Sequence, residues 1–209
     1  MTGLIRRSSP EGRVKSGRNP NTVQPQDVLA FWFGPPDEAL AFRQQWFKRD
    51  DEFDAAIRSR FLAVVEAALI GELDHWADGP DGALALVIVL DQFPRNLFRG
   101  SARAFAGDEA ARRHATQALT QGWVQSLAPL QRLFVYLPFE HSESLADQDR
   151  SVALTRPWQD QPDFAGFYDY AVRHRDAIRR FGRFPHRNAV LGRESTTREA
   201  AWIAEHGGF

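Results

Sequence analysis

The hydrophobic pattern changes character once, at Ala83–Leu90, where eight apolar residues run without interruption before Asp91, Gln92, Pro94, Arg95 and Asn96. A helix that is apolar all round is buried on all sides, so Ala83–Arg99 is expected to be the central helix of the fold, with a polar end carried into the core. On either side the pattern is amphipathic with helical period. Phe53, Ile57, Phe61, Val64/Val65 and Ala68/Leu69 recur at three- and four-residue steps after a capping Asp50 or Asp51 and end at Gly71.

The remaining elements follow from the same signals. Pro25-Gln26-Asp27 opens a short helix through VLAFWF that Gly34-Pro35-Pro36 closes, and a second short helix is expected over Glu38–Phe47. Gly107-Asp108 starts a helix reaching Gln121-Gly122, and Ser126–Leu137 is helical up to Pro138. A further helix covers Ser144–Trp158, with Ser144 and Asp147 as its cap. Phe164–Phe181 is the last long helix, stopped by Gly182, and Ser195 caps a terminal helix over Thr196–His206. No window alternates with period two for long enough to demand a strand. The expected fold is all-α: an antiparallel array of eight or nine helices joined by short turns. No repeat of about 34 residues is strong enough to assign tetratricopeptide units from the pattern.

Composition alters this picture mainly at the N-terminus. Residues 1–23 carry five cations against Glu11 and almost nothing to bury, so they are expected to be a disordered basic tail of charge +4 on a single helical domain, 24–209, of charge -5. The net charge of -1 gives no signature for nucleic acid or membrane partners. The six tryptophans are spread along the chain, as core anchors are, rather than clustered as a base-stacking platform. Without cysteine there is no disulfide framework, thiolate metal site or cysteine nucleophile, which fits a cytoplasmic setting. No apolar run approaches the ~20 residues needed to span a bilayer.

The candidate chemistry lies at the polar breaks. Asp91 and Arg95 are spaced to pair along one helix face, with Gln92 and Asn96 beside them. Phe93-Pro94-Arg95-Asn96 is echoed by Phe184-Pro185-His186-Arg187-Asn188. The echo reads either as two helix ends pinned by Arg and Asn, one of them satisfying the Leu90 carbonyl that Pro94 frees, or as two Arg-Asn forks converging on one anion. Glu140-His141-Ser142-Glu143 reads as a capping segment, as a source of general acid and base, or, more weakly, as a source of metal ligands with Asp147 and His174. His174 interrupts the apolar stripe Phe164, Phe167, Ala171, Ile178, Phe181, which makes it a hydrogen-bonded core histidine or a third catalytic candidate. There is no HExxH, no P-loop, no GxGxxG and no GxSxG, so no metal or cofactor is expected.

The segments VLAFWFG, WF-x2-D-x2-FD-x2-I, LDQFPRN-x-FRG, LFVYLPFEHSES-x-ADQ and RFGRFPHRN-x2-LGR-x-ST, in this order over Gln24–Glu205, resemble the bacterial family called domain of unknown function 924. That resemblance implies an all-α, tetratricopeptide-like superhelix; it implies no activity and assigns no catalytic residue. Three functional readings stay open. In the first, Asp91, Gln92, Arg95, Asn96, Glu143, His186, Arg187 and Asn188 hold a small anionic molecule while Glu140, His141 or His174 transfers a proton. In the second, the array clamps an acidic peptide or protein terminus. In the third, the polar motifs only specify helix packing.

Overall fold

In the computed structural model, residues 23–35, 38 and 40–208 are described, and among them eight α-helices and several short 3-10 turns account for the regular structure, with no strand. The helices are α1 (Pro25–Phe33), α2 (Asp51–Leu69), α3 (Pro80–Leu97), α4 (Asp108–Thr120), α5 (Pro129–Glu140), α6 (Leu145–Thr155), α7 (Ala165–Phe181) and α8 (Thr197–His206). The expected basic tail lies outside the described residues except for Val23. So does part of the expected second short helix, of which a single 3-10 turn, Gln44–Trp46, is present.

The pattern of burial explains the arrangement. Every residue of α3 from Gly82 to Pro94 is buried. The helix is sheathed by α1, α2, α4 and α5, while α6 packs between α5 and α7. Trp32 on α1 anchors this core with no exposure, its ring 5.4–5.7 Å from those of Phe53, Phe93 and Phe134. Trp46 adds to it by donating Nε1–H to the Trp32 carbonyl at 3.0 Å. A smaller cluster of Ala177, Ile178 and Phe184, with Trp202 against it, joins α7 to α8.

Caps depart from the sequence reading in informative ways. Asp50 caps α2 by accepting from Phe53 N–H at 3.0 Å. Ser144 makes no side-chain cap; instead Ser142 Oγ donates to Asp147 at 2.6 Å and accepts from Ser144 N–H at 3.2 Å. The cap of α8 is Thr196, in a reciprocal box with Glu199, because Ser195 accepts from Asn188 at 3.0 Å.

Neither internal proline ends its helix. α3 continues three residues past Pro94, and α5 two past Pro138, because the lost bond frees one carbonyl while packing holds the rest. The carbonyl freed at Leu90 is not met by an Arg or Asn side chain. Gly107 lies against it, so closely that a Cβ there would stand 2.1 Å from the oxygen. This contact sets the N-terminus of α4 beside the polar end of α3.

Candidate functional site

Four segments meet at the polar end of α3. Asp91, fully buried, faces His141 at the C-terminus of α5, with Oδ1 2.8 Å from Nδ1. Gln92 donates to its other oxygen, and the Arg95 guanidinium lies 3.4 Å from Oδ1. Arg95 also donates to Asp108, the first residue of α4, at 2.9 Å. Asp108 in turn lies 3.5 Å from Arg187 in the turn Pro185–Arg187. The two arginines predicted from the repeated motif thus share one carboxylate.

Their planes are fixed by aromatic faces. The Arg187 guanidinium stands 4.6 Å from the ring centres of both Phe105 and Phe184, and that of Arg95 5.7 Å from Phe105. A second buried pair lies behind the first. Glu140 Oε1 is 3.3 Å from His174 Nδ1, which engages the Tyr170 carbonyl at 2.9 Å. The His141 and His174 rings are 6.4 Å apart.

These environments separate the protonation states. Burial alone would raise the Asp91 carboxyl, but Arg95, His141 and Gln92 outweigh it and hold the group well below the usual carboxylate range. For Glu140 burial dominates: reinforced by the Asp91 charge and only partly offset by Ser151, it pushes the carboxyl up to about 8, so the group carries a proton at neutral pH. Burial lowers His141 despite Asp91, and lowers His174 to about 3. Both imidazoles are therefore neutral at pH 7. With Nδ1 held by ionised Asp91, neutral His141 carries its proton there and presents Nε2 as a base. Among the described residues Nε2 takes no hydrogen bond, and 16% of the side chain is exposed.

Other predicted residues have structural employment. Asn96 donates to Asp54 at 2.7 Å, beside the Arg99–Asp54 pair, and so ties α3 to α2 away from the cluster. Asn188 donates to Ser195 and accepts from Arg193, and Glu143 accepts from Arg193 and from Phe184 N–H, fastening the loop after α7 to the turn after α5. That loop carries His186, lowered to about 4 by burial and by Arg187. The Arg-Asn forks therefore converge through their arginines only.

Three contributors escaped the sequence reading. Asp108 carries only the signal of a helix start, and Phe105 has no polar signal at all. Gln148, fully buried, donates to the carbonyls of Glu140 at 2.6 Å and Ser142 at 2.7 Å, and thereby holds the end of α5. Among the described residues no group of three or more His, Asp or Glu has a metal-holding arrangement. The cleft of about 190 Å³ between α7 and α8, lined by Arg173, Arg180, Trp202 and His206, is a separate feature.

The family profile described as bacterial protein of unknown function (DUF924) matches residues 28–207. The chain belongs to this family. A solved structure of a protein of unknown function from Agrobacterium tumefaciens is similar to this DUF924 chain at 40% identity, covering 87% of this chain and 97% of that one with a TM-score of 0.77. No curated protein matches the chain.

Proposed function

We propose that the cluster is a proton-transfer site for a small anionic molecule, with His141 as general base, Asp91 as the residue that orients it, and protonated Glu140 as a proton donor. Arg95 and Arg187 hold the anionic group. The observation that carries this reading is the Asp91–His141 pair: a buried, ionised carboxylate fixes one tautomer and leaves the other ring nitrogen unengaged. The His141 side chain keeps 16% of its surface exposed, so a substrate can reach the free nitrogen. General-base contributions of this kind are worth about 10²–10⁴ in rate.

The acidic-peptide scaffold takes second place. Asp91, Glu140, His174 and Arg187 are interior, at 0–7% exposure, whereas a peptide clamp presents its charges along an open groove.

The test is to incubate the protein in deuterium oxide with small carboxylic acids and phosphate esters and follow C–H signals and product formation by NMR. Exchange or turnover that His141→Gln and Asp91→Asn both abolish is the expected result. Turnover unchanged in His141→Gln overturns the assignment. So does wild-type protein that turns nothing over and whose His141 fails to react with diethyl pyrocarbonate.

A further inference from the structure

The cleft between α7 and α8 joins an apolar floor, an aromatic wall and two cations without partners. Arg173, Asp176, Ala177 and Arg180 line it from α7, at the three- and four-residue steps that place side chains on one helix face. Trp202 and His206 line it from α8, one turn apart, their rings 5.2 Å from each other and nearly parallel at 13°. Ala177 is buried in the small cluster with Ile178 and Phe184 against which Trp202 packs, and it lies one turn from each arginine. A side chain no larger than a methyl group there leaves the space between the two helices unfilled.

The arginines of this region divide into two sets. Arg175 and Arg179 approach Asp149 at 3.9 Å and 3.2 Å, and Arg183 pairs with Glu199 at 2.6 Å. Arg173 and Arg180 only rest against rings, each guanidinium 5.0 Å from the centre of Tyr170 or Phe181; among the described residues neither makes a hydrogen bond or an ion pair. The cations left unpaired are thus the two that border the cleft. Exposed arginines alone would be ordinary surface. Here they flank a hollow whose floor and wall suit a flat apolar group.

Size and charge narrow the occupant. The cleft holds about 190 Å³, against about 150 Å³ for an apolar cavity that accepts one benzene ring and about 300–1,000 Å³ for the pockets of drug-sized ligands. One ring with a small substituent fits, and a nucleotide does not. Two arginines against Asp176 leave a single net positive charge, which matches a monoanion. We propose that this cleft is a binding site for a single-ring aromatic carboxylate, its ring over Ala177 beside Trp202 and its carboxylate held by Arg173 and Arg180. The site is separate from the Asp91–His141 cluster and does not depend on the proton-transfer reading.

The experiment follows the tryptophan indole N–H signals of the full-length protein by NMR, with Trp202 identified through Trp202→Phe, while benzoate, benzamide, acetate or inorganic phosphate is added. Benzoate is expected to shift the Trp202 signal saturably. Each exposed charge pair contributes about two- to fivefold, so benzamide, which lacks the charge, should bind about tenfold more weakly. Acetate and phosphate, which lack the ring, should also bind more weakly than benzoate. Arg173→Gln and Arg180→Gln lie on the surface, keep the fold and should each weaken benzoate by about two- to fivefold. Ala177→Leu should abolish binding by filling the floor; the wild-type ligand series and the arginine variants decide the matter even if that variant unfolds. A Trp202 signal that benzoate leaves in place overturns the proposal. So does acetate or phosphate binding as tightly as benzoate, or benzoate binding that neither arginine substitution weakens.

Discussion

Glu140→Gln isolates the most unusual charge state in the structure. The carboxyl is raised from its usual 4.5 to about 8, first by burial and then by the negative charge of Asp91. In the unfolded chain the group is ionised above its ordinary value, whereas in the folded chain it keeps its proton until about pH 8. Between these two values the folded state binds one more proton than the unfolded state. Stability is therefore highest below the unfolded value and falls as pH rises, by about 1.4 kcal/mol per unit. From pH 5 to pH 8 this group alone removes on the order of 3–4 kcal/mol, a large fraction of the 5–15 kcal/mol typical of a domain. Glutamine does not titrate. The variant pays at every pH for an imperfectly paired amide, about 1–3 kcal/mol, but it does not share the loss. Guanidinium unfolding, followed by tryptophan fluorescence at pH 5, 6, 7 and 8, gives the difference between the two proteins. That difference should move in favour of the variant by roughly 3–4 kcal/mol over the range, because groups common to both cancel. Parallel stability curves would refute the assignment of a protonated Glu140, and with it the role of this residue as a proton donor.

Two further outcomes follow from packing. Gly107→Ala would place a Cβ 2.1 Å from the Leu90 carbonyl of a helix with no room to yield, costing about 3 kcal/mol or more, whereas Gly166→Ala meets nothing within 4 Å near the start of α7 and should be neutral or stabilising by about 0.5 kcal/mol; paired thermal unfolding curves check both. Asn96→Ala loses the bond to Asp54 but leaves the Arg99–Asp54 pair, so about 1 kcal/mol of stability should go while the His141 titration stays unchanged; a changed titration would show that Asn96 belongs to the site after all.

Much of this protein is legible in the order of its residues. The uninterrupted run Ala83–Leu90 determined a central helix, since such a run has no face to offer water, and every one of those residues is fully buried. Helical periodicity with Asp50, Gly71 and Gly182 as punctuation determined most other elements, because those signals act within one or two turns. Candidate chemistry was legible too, as polar residues placed where an apolar helix gives way. What those residues do was decided by tertiary structure. Arg95 and Asn96 are adjacent in the chain, yet one turns to Asp91 and Asp108 and the other to Asp54 forty-two residues away. Which acid each meets depends on how α2 and α4 pack on α3, and that depends on contacts such as Gly107 on the Leu90 carbonyl. The same holds for charge. Asp91 and Glu140 are both buried carboxylates, and the Arg95 spacing marks only the first as paired. The first is ionised because the fold adds His141 to the Arg95 that helix spacing already supplies; the second keeps its proton because the fold buries it and sets the negative charge of Asp91 nearby.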